Sequence, residues 1–252
     1  MERRDQVQSF VRGLRVIRSF SADRPVMALS EVAEEVGLTR AAARRLLLTL
    51  VDEGFARMEG KRFRLTPRIL DLGYAYLSGV EALDEAQTVL AELATEIGES
   101  CSMSVLEGDE VVYVARVTAS RLMTLSLRVG SRLPAFHTST GRVMLAYSSP
   151  DRVEKLMSGR EFAAYTPKTV TSASEIWGIL RRARQQGWCL CDEELEVGLI
   201  SLAVPVYDRG GCVTAALNVS SHTSRTPASD LLQRALPRLQ SAAEQLVSRS
   251  RA

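Results

Sequence analysis

Between Ala28 and Leu65 the chain carries a pattern that few folds accommodate: two short capped helices broken at a glycine, then a hairpin, with arginines on the free helix face. Ser30 sits where it can cap a first helix whose opening turn holds Glu31 and Glu34, acids suited to the positive end of a helix dipole. Val32, Ala33 and Val36 give that helix an apolar face, which runs out at Gly37. Thr39 is placed to cap the next helix, where Ala43, Leu46, Leu47 and Leu50 recur at i, i+3, i+4 and i+7 and so turn inward. Arg40, Ala41, Arg44 and Arg45 are left outside, with Thr39 at their head. Such a face fits a major groove about 12 Å wide, where guanidiniums read guanine edges or grip phosphates. Phe55-Ala56-Arg57 and Arg62-Phe63-Arg64 flank Met58 to Lys61 as a hairpin, and Lys61 and Arg62 add cations near its tip. The pattern predicts a winged helix-turn-helix that binds double-stranded DNA. A three-helix unit with a merely solvated basic face is the competing reading.

Charge agrees with the first of these. Residues 1–66 hold 13 Lys and Arg against 9 Asp and Glu, a surplus of four, whereas the remainder of the 252 residues is slightly acidic. A basic surplus confined to one segment is the footprint expected of nucleic-acid binding. Cys101, Cys189, Cys191 and Cys212, with His137 and His222, make no zinc spacing, and a chain this size needs no disulfide framework. No metal or cofactor is implied. No apolar run approaches a membrane span, and the first residues lack the apolar stretch of a signal peptide, so a cytoplasmic protein is expected.

Val7, Phe10, Val11, Leu14 and Ile17 predict a helix over 7–20 that supports the two helices of the turn motif. Pro67 suits a first helical position, and the mostly apolar run from Ile69 to Leu77 predicts a linker helix over 67–81. This divides the chain into a DNA-binding domain over 1–66 and a second domain over 82–252. In the second, a helix over Leu83 to Ile97 stops at Gly98, and alternation from Ser100 predicts a hairpin that turns at Glu107 to Glu110. Strands follow at Arg121 to Val129, Leu199 to Tyr207 and Cys212 to Ser220. Helices are expected at Gly141 to Tyr147, Asp151 to Met157, Glu175 to Gln186 and Ser229 to Ser248. Strands grouped among helices in this way argue an α+β fold with a central sheet.

Catalytic patterns are thin. His137-Thr138-Ser139-Thr140-Gly141 resembles a nucleophile elbow at its last three positions only, and Asp192, Glu193, Glu194 and Glu196 read mostly as a solvated loop. More telling is the strand at Val213 to Ser220. Its one face is Val213, Ala215, Leu217 and Val219, while the other is Thr214, Ala216, Asn218 and Ser220. Small hydrogen-bonding groups at alternate positions fit the wall of a ligand cavity, to which Ser201 adds from the neighbouring strand. They equally fit a face packed closely under a helix, and the residues alone leave both readings open.

Together these segments resemble the IclR-type transcriptional regulators over nearly the whole chain. The likeness lies in Leu29 to Ala33, Gly37 to Leu47, Val129 to Phe136, Thr138 to Ala146, Asp192 to Glu194 and Gly198-Leu199. Leu122 to Leu127 before Gly130, with Arg142 after Gly141, is most similar to the branch controlling protocatechuate and p-hydroxybenzoate catabolism. The resemblance implies a winged helix-turn-helix, a linker helix and a GAF-like effector domain, acting as a homodimer or a dimer of dimers on a palindrome-like operator. It also implies an effector pocket near Ser139, Thr140, Cys191, Asp192, Ser201, Asn218 and Ser220. A small organic acid, aromatic or dicarboxylic, is the expected effector, its anion at the N-terminus of the helix after Thr138-Ser139-Thr140. Gly141 would let it approach the backbone, and Met123 would supply adaptable apolar contact. An enzyme using the second domain is the alternative.

Overall fold

Local chemistry sets the first helices. Helix α1 (Gln8–Ser19) leads through strand β1 (Val26–Ala28) into α2 (Leu29–Glu35) and α3 (Arg40–Asp52). The start of α2 is capped by Glu31, whose Oε2 accepts from the Ala28 backbone N–H at 2.6 Å. Ser30, the expected cap, therefore lies inside the helix, because the longer acidic side chain reaches back a turn. Gly37 ends the segment at φ +65°, a left-handed turn that glycine enters without strain. Thr39 Oγ1 accepts from Ala42 N–H at 3.2 Å and starts α3.

Val16, Met27, Val32, Leu47 and Phe63 form the core of this unit. Only the last turns of α1 reach it. Phe10 and Leu14, expected to support the other helices, are 67% and 43% exposed. The wing consists of β2 (Ala56–Glu59) and β3 (Arg62–Leu65), joined through Gly60 at φ +64° and Lys61, a two-residue loop of the kind that follows strand twist. β1 pairs with β3 and completes a three-stranded antiparallel sheet. After a 3-10 turn at Pro67–Ile69 comes α4 (Leu70–Leu77), with Leu70, Leu72 and Tyr74 exposed.

The computed structural model describes residues 6–77, 83–119 and 127–249. The chain divides into two compact units after residue 79. The continuation of the expected linker helix to residue 81 falls outside the described residues.

The second unit opens with α5 (Leu83–Ile97), β4 (Ser100–Glu107) and β5 (Glu110–Val117). Residues 121–126 of the expected third strand are outside the described residues. Leu127 to Val129 is irregular, and the strand paired with β5 is instead the short β6 (Arg132–Pro134). Then come α6 (Ser139–Tyr147), α7 (Pro150–Met157), α8 (Ala173–Gln186), β7 (Cys189–Asp192), β8 (Leu199–Tyr207), β9 (Val213–His222) and α9 (Ala228–Arg249). The six strands run antiparallel in the order β6-β5-β4-β9-β8-β7.

Because strand side chains alternate, the sheet has two different faces. Cys101, Met103, Leu202, Leu217 and Val219 meet Leu90 and Leu93 of α5 and Leu231 and Leu239 of α9. Each such side chain contributes about 1.5–3 kcal/mol on burial. On the opposite face Ala203 and Ala216 pack with Val143 and Leu145 of α6 and Ile176 and Leu180 of α8. The small residues bring α6 close to the sheet, and beside that contact lies the polar part of the same face.

Candidate functional site

In the first unit, Thr39 at the cap of α3 and Arg40, Ala41, Arg44 and Arg45 on the helix are all exposed, and Lys61 is exposed at the wing tip. Among the described residues, the charged groups of Arg40, Arg44, Arg45 and Lys61 have no hydrogen-bond or ion-pair partner. The wing arginines differ. Arg62 meets Glu31 at 3.2 Å, while Arg57 and Arg64 share Glu59 at 2.9 and 3.1 Å. Exposed pairs of this kind are worth up to about 1 kcal/mol, so a phosphate can compete for those arginines. It meets no such competitor at α3.

In the second unit, one cavity borders the polar sheet face. β5 supplies Tyr113 and Arg116, and Leu127 and Leu133 line a side. His137, Thr138 and Ser139 come from the approach to α6, Cys191, Glu194, Leu195 and Leu199 from β7 and the loop after it, and Ser201 and Ser220 from β8 and β9. Register brings the last two together: Cys191 lies opposite Ser201, and Ser201 opposite Ser220. Ser139 Oγ and Ser201 Oγ are 2.8 Å apart. Asn218 Nδ2 donates to Ser201 Oγ at 3.0 Å and Ser220 Oγ at 2.8 Å, so it orients both hydroxyls although it is not itself in the wall.

Other expected positions fall elsewhere. Thr140 is buried with its hydroxyl unpartnered but does not line the cavity, and neither does Asp192, whose carboxylate faces Lys168 Nζ at 3.5 Å. Met123 lies outside the described residues. Gly141 has a different use from the one expected. A Cβ there would stand 2.2 Å from the Ala135 carbonyl oxygen, so glycine lets α6 pack against the preceding turn. The Gly141 N–H is already taken by Thr138 Oγ1 at 3.2 Å.

Sequence reasoning gave no site role to two cations. Arg116 extends from β5 onto the polar face, where Nη1 donates to Ser102 Oγ at 2.8 Å. Its Nε is buried without a partner, and among the described residues no carboxylate pairs with it. Burial holds its pKa below the ordinary value. Arg142 is 1% exposed and satisfied on every side. Its Nε donates to Phe136 O at 2.7 Å, Nη2 to Glu194 Oε2 at 2.7 Å and Nη1 to Cys191 Sγ at 3.3 Å, with a second, shorter bond to Glu194 Oε1. The carboxylates expected in a solvated loop are thus split: Glu194 is buried, with Thr169 Oγ1 donating to its carbonyl at 2.6 Å.

His137 packs edge-on to Phe162 and Tyr165 and is 3% exposed. Burial, and after it the Arg142 charge, pushes its pKa down to about 4 from 6.5. It is neutral in the fold but protonated when unfolded between those values, so its contribution is present above pH 6.5 and lost as pH falls toward 4. About 2 kcal/mol should go between pH 7 and pH 5. Urea midpoints at the two pH values check this, the drop being smaller by that amount in His137→Phe.

A winged helix-turn-helix joined in one chain to a sheet domain with a polar cavity defines a ligand-responsive DNA-binding protein. The IclR helix-turn-helix domain matches residues 9–60, and the C-terminal domain of bacterial transcriptional regulator IclR matches residues 74–248. The chain belongs to the IclR family of transcriptional regulators. It is 39% identical over 243 residues to the Pca regulon regulatory protein of Pseudomonas putida, covering 96% of this chain and 84% of that one. To the p-hydroxybenzoate hydroxylase transcriptional activator of Acinetobacter baylyi it is 34% identical over 247 residues, covering 96% and 91%. A transcriptional regulator from Rhodococcus sp. RHA1 shares the fold with a TM-score of 0.87 and 41% identity, over 96% of this chain and 98% of that one.

Proposed function

We propose that the cavity of the second unit binds a small organic acid and that its occupancy changes how the α3 face holds an operator. The observation that carries this reading is Arg116. A half-buried guanidinium with a buried Nε unpartnered and, among the described residues, no carboxylate paired with it is costly to leave alone. A carboxylate answers it with charge-assisted hydrogen bonds. Ser201 and Ser220, oriented by Asn218, can bond a hydroxyl, keto or second acid group, and Leu127, Leu133 and Leu195 suit a ring. The regulatory names of the relatives favour a hydroxylated aromatic acid such as 4-hydroxybenzoate or protocatechuate.

The domain boundaries fit that division of labour: 1–66 for DNA, 67–81 as linker helix, 82–252 as sensor. Phe10 on α1 and Leu70 and Tyr74 on α4 expose apolar surface that a second copy would cover, in keeping with a homodimer or a dimer of dimers on a two-fold operator. The role places the protein in the cytoplasm beside its DNA, and among the described residues no helix is long and apolar enough to cross a membrane. An enzyme reading finds less support, since Ser139 Oγ meets Ser201 and not a histidine.

Calorimetry with 4-hydroxybenzoate and protocatechuate tests the proposal. Hydrogen bonds to a charged group are worth about 1.5–3 kcal/mol, so Arg116→Gln should weaken acid binding roughly tenfold or more. Ligand-free affinity for a promoter fragment should not move. Wild-type acid affinity in the variant would overturn the assignment.

A further inference from the structure

One group in the cavity wall carries chemistry beyond hydrogen bonding: the Cys191 thiol. Cys189 and Cys191 stand on the same face of β7, and both are buried. The Cys191 sulfur accepts from Arg142 Nη1 at 3.3 Å, and Glu194 fixes that guanidinium in place. Although Cys191 is only 6% exposed, it lines the cavity. His137, 3% exposed, lines the same cavity with a buried Nδ1 that has no partner, so the space is built to meet polar guests. A reactive thiol needs a cationic donor to support negative sulfur and a route for a small reagent.

We infer that Cys191 is a modification site, reached through the cavity by hydrogen peroxide or a comparably small hydroperoxide and oxidised there to a sulfenic acid. The thiolate sulfur attacks one peroxide oxygen, an S–O bond forms and the O–O bond breaks. Hydroxide leaves and takes up a proton as water, and sulfur gives up two electrons to the peroxide. The other cysteines lack this setting. Cys101 is on the opposite sheet face with its thiol pushed up to about 12 by burial, and the thiol of Cys189 is raised by its hydrogen bond with Cys191 and by burial. Cys212 is exposed with no donor to its sulfur among the described residues. The same contact with Cys189, followed by the Arg142 charge, holds the Cys191 thiol low against burial. An added oxygen beside Ser201 would take space and hydrogen bonds from an acid. That consequence rests on the effector reading above, whereas the oxidation itself does not.

The full-length protein, treated with hydrogen peroxide and dimedone and mapped by mass spectrometry, tests this. Cys191 should acquire the adduct at least tenfold faster than Cys101, most plainly in Cys189→Ser, where a sulfenic acid cannot condense with its neighbour. In the wild type the same oxidation ends as the adduct or as a 189–191 disulfide formed with loss of water. Excess 4-hydroxybenzoate should slow the reaction at Cys191 severalfold and leave Cys212 unchanged. An unmodified Cys191 while Cys212 reacts, or a rate no greater than that of Cys101, overturns the inference even where calorimetry shows acid binding. Modification without protection supports the inference and counts against the acid site.

Discussion

Glu194→Ala should destabilise the second unit by about 3–5 kcal/mol, because it leaves the Arg142 guanidinium buried and uncompensated. Arg142 is among the largest fully buried side chains, and both Glu194 oxygens are committed: Oε1 and Oε2 to Arg142, and Oε2 also to the Val170 N–H at 3.2 Å. Whole domains are stable by only about 5–15 kcal/mol, so the loss is a large share. Trp177 and Trp188, the two tryptophans of the chain, both lie in this unit. Urea denaturation followed by their fluorescence therefore reports on it alone. Replacing both partners, as in Arg142→Met with Glu194→Met, should recover part of the loss, since an apolar pair carries no stranded charge. A cost under about 1 kcal/mol for Glu194→Ala would mean that the pair is hydrated and does not lock the cavity rim.

That pair also marks the boundary of what the sequence could reveal. Thr39, Gly37 and the Ala43-Leu46-Leu47-Leu50 stripe are legible because caps, left-handed turns and helical periodicity depend on neighbours a few residues away. Glu194 is not, since its partner lies 52 residues earlier and contiguous acids read as solvated. Arg116 escaped for a similar reason. Its place in an alternating strand matches an ordinary surface arginine until β4 sets Ser102 opposite it and β9 sets Asn218 opposite Ser102. A usable signal was present, because Ser100, Ser102 and Ser104 repeat in β4 the small polar alternation seen in β9. β1 and β7, three and four residues long, are too short to show a period. The polar face of β9 is divided between close packing and open space: Ala216 packs under α6, whereas Ser220 lines the cavity and accepts from Asn218.

Arg44→Ala with Arg45→Ala should cost operator binding roughly thirtyfold or more, each arginine being worth about 1–3 kcal/mol as a base contact. Both lie on the exposed face of α3, opposite the buried Ala43 and Leu47, with no partner among the described residues to hold them back from DNA. Fluorescence anisotropy on a promoter fragment across a salt series separates two roles. A base reader lost to alanine leaves the slope of log affinity against log salt nearly unchanged and relaxes sequence preference. A phosphate clamp lost to alanine weakens every sequence alike and flattens that slope by about one. Lys61→Ala at the wing tip should behave in the second way. Arg62→Ala should cost less than either, because Glu31 already occupies Arg62 and DNA must first displace that carboxylate. Unchanged affinity and salt dependence in the double variant would show that α3 is not the reading helix, and the unpaired arginines would then be a solvated face after all.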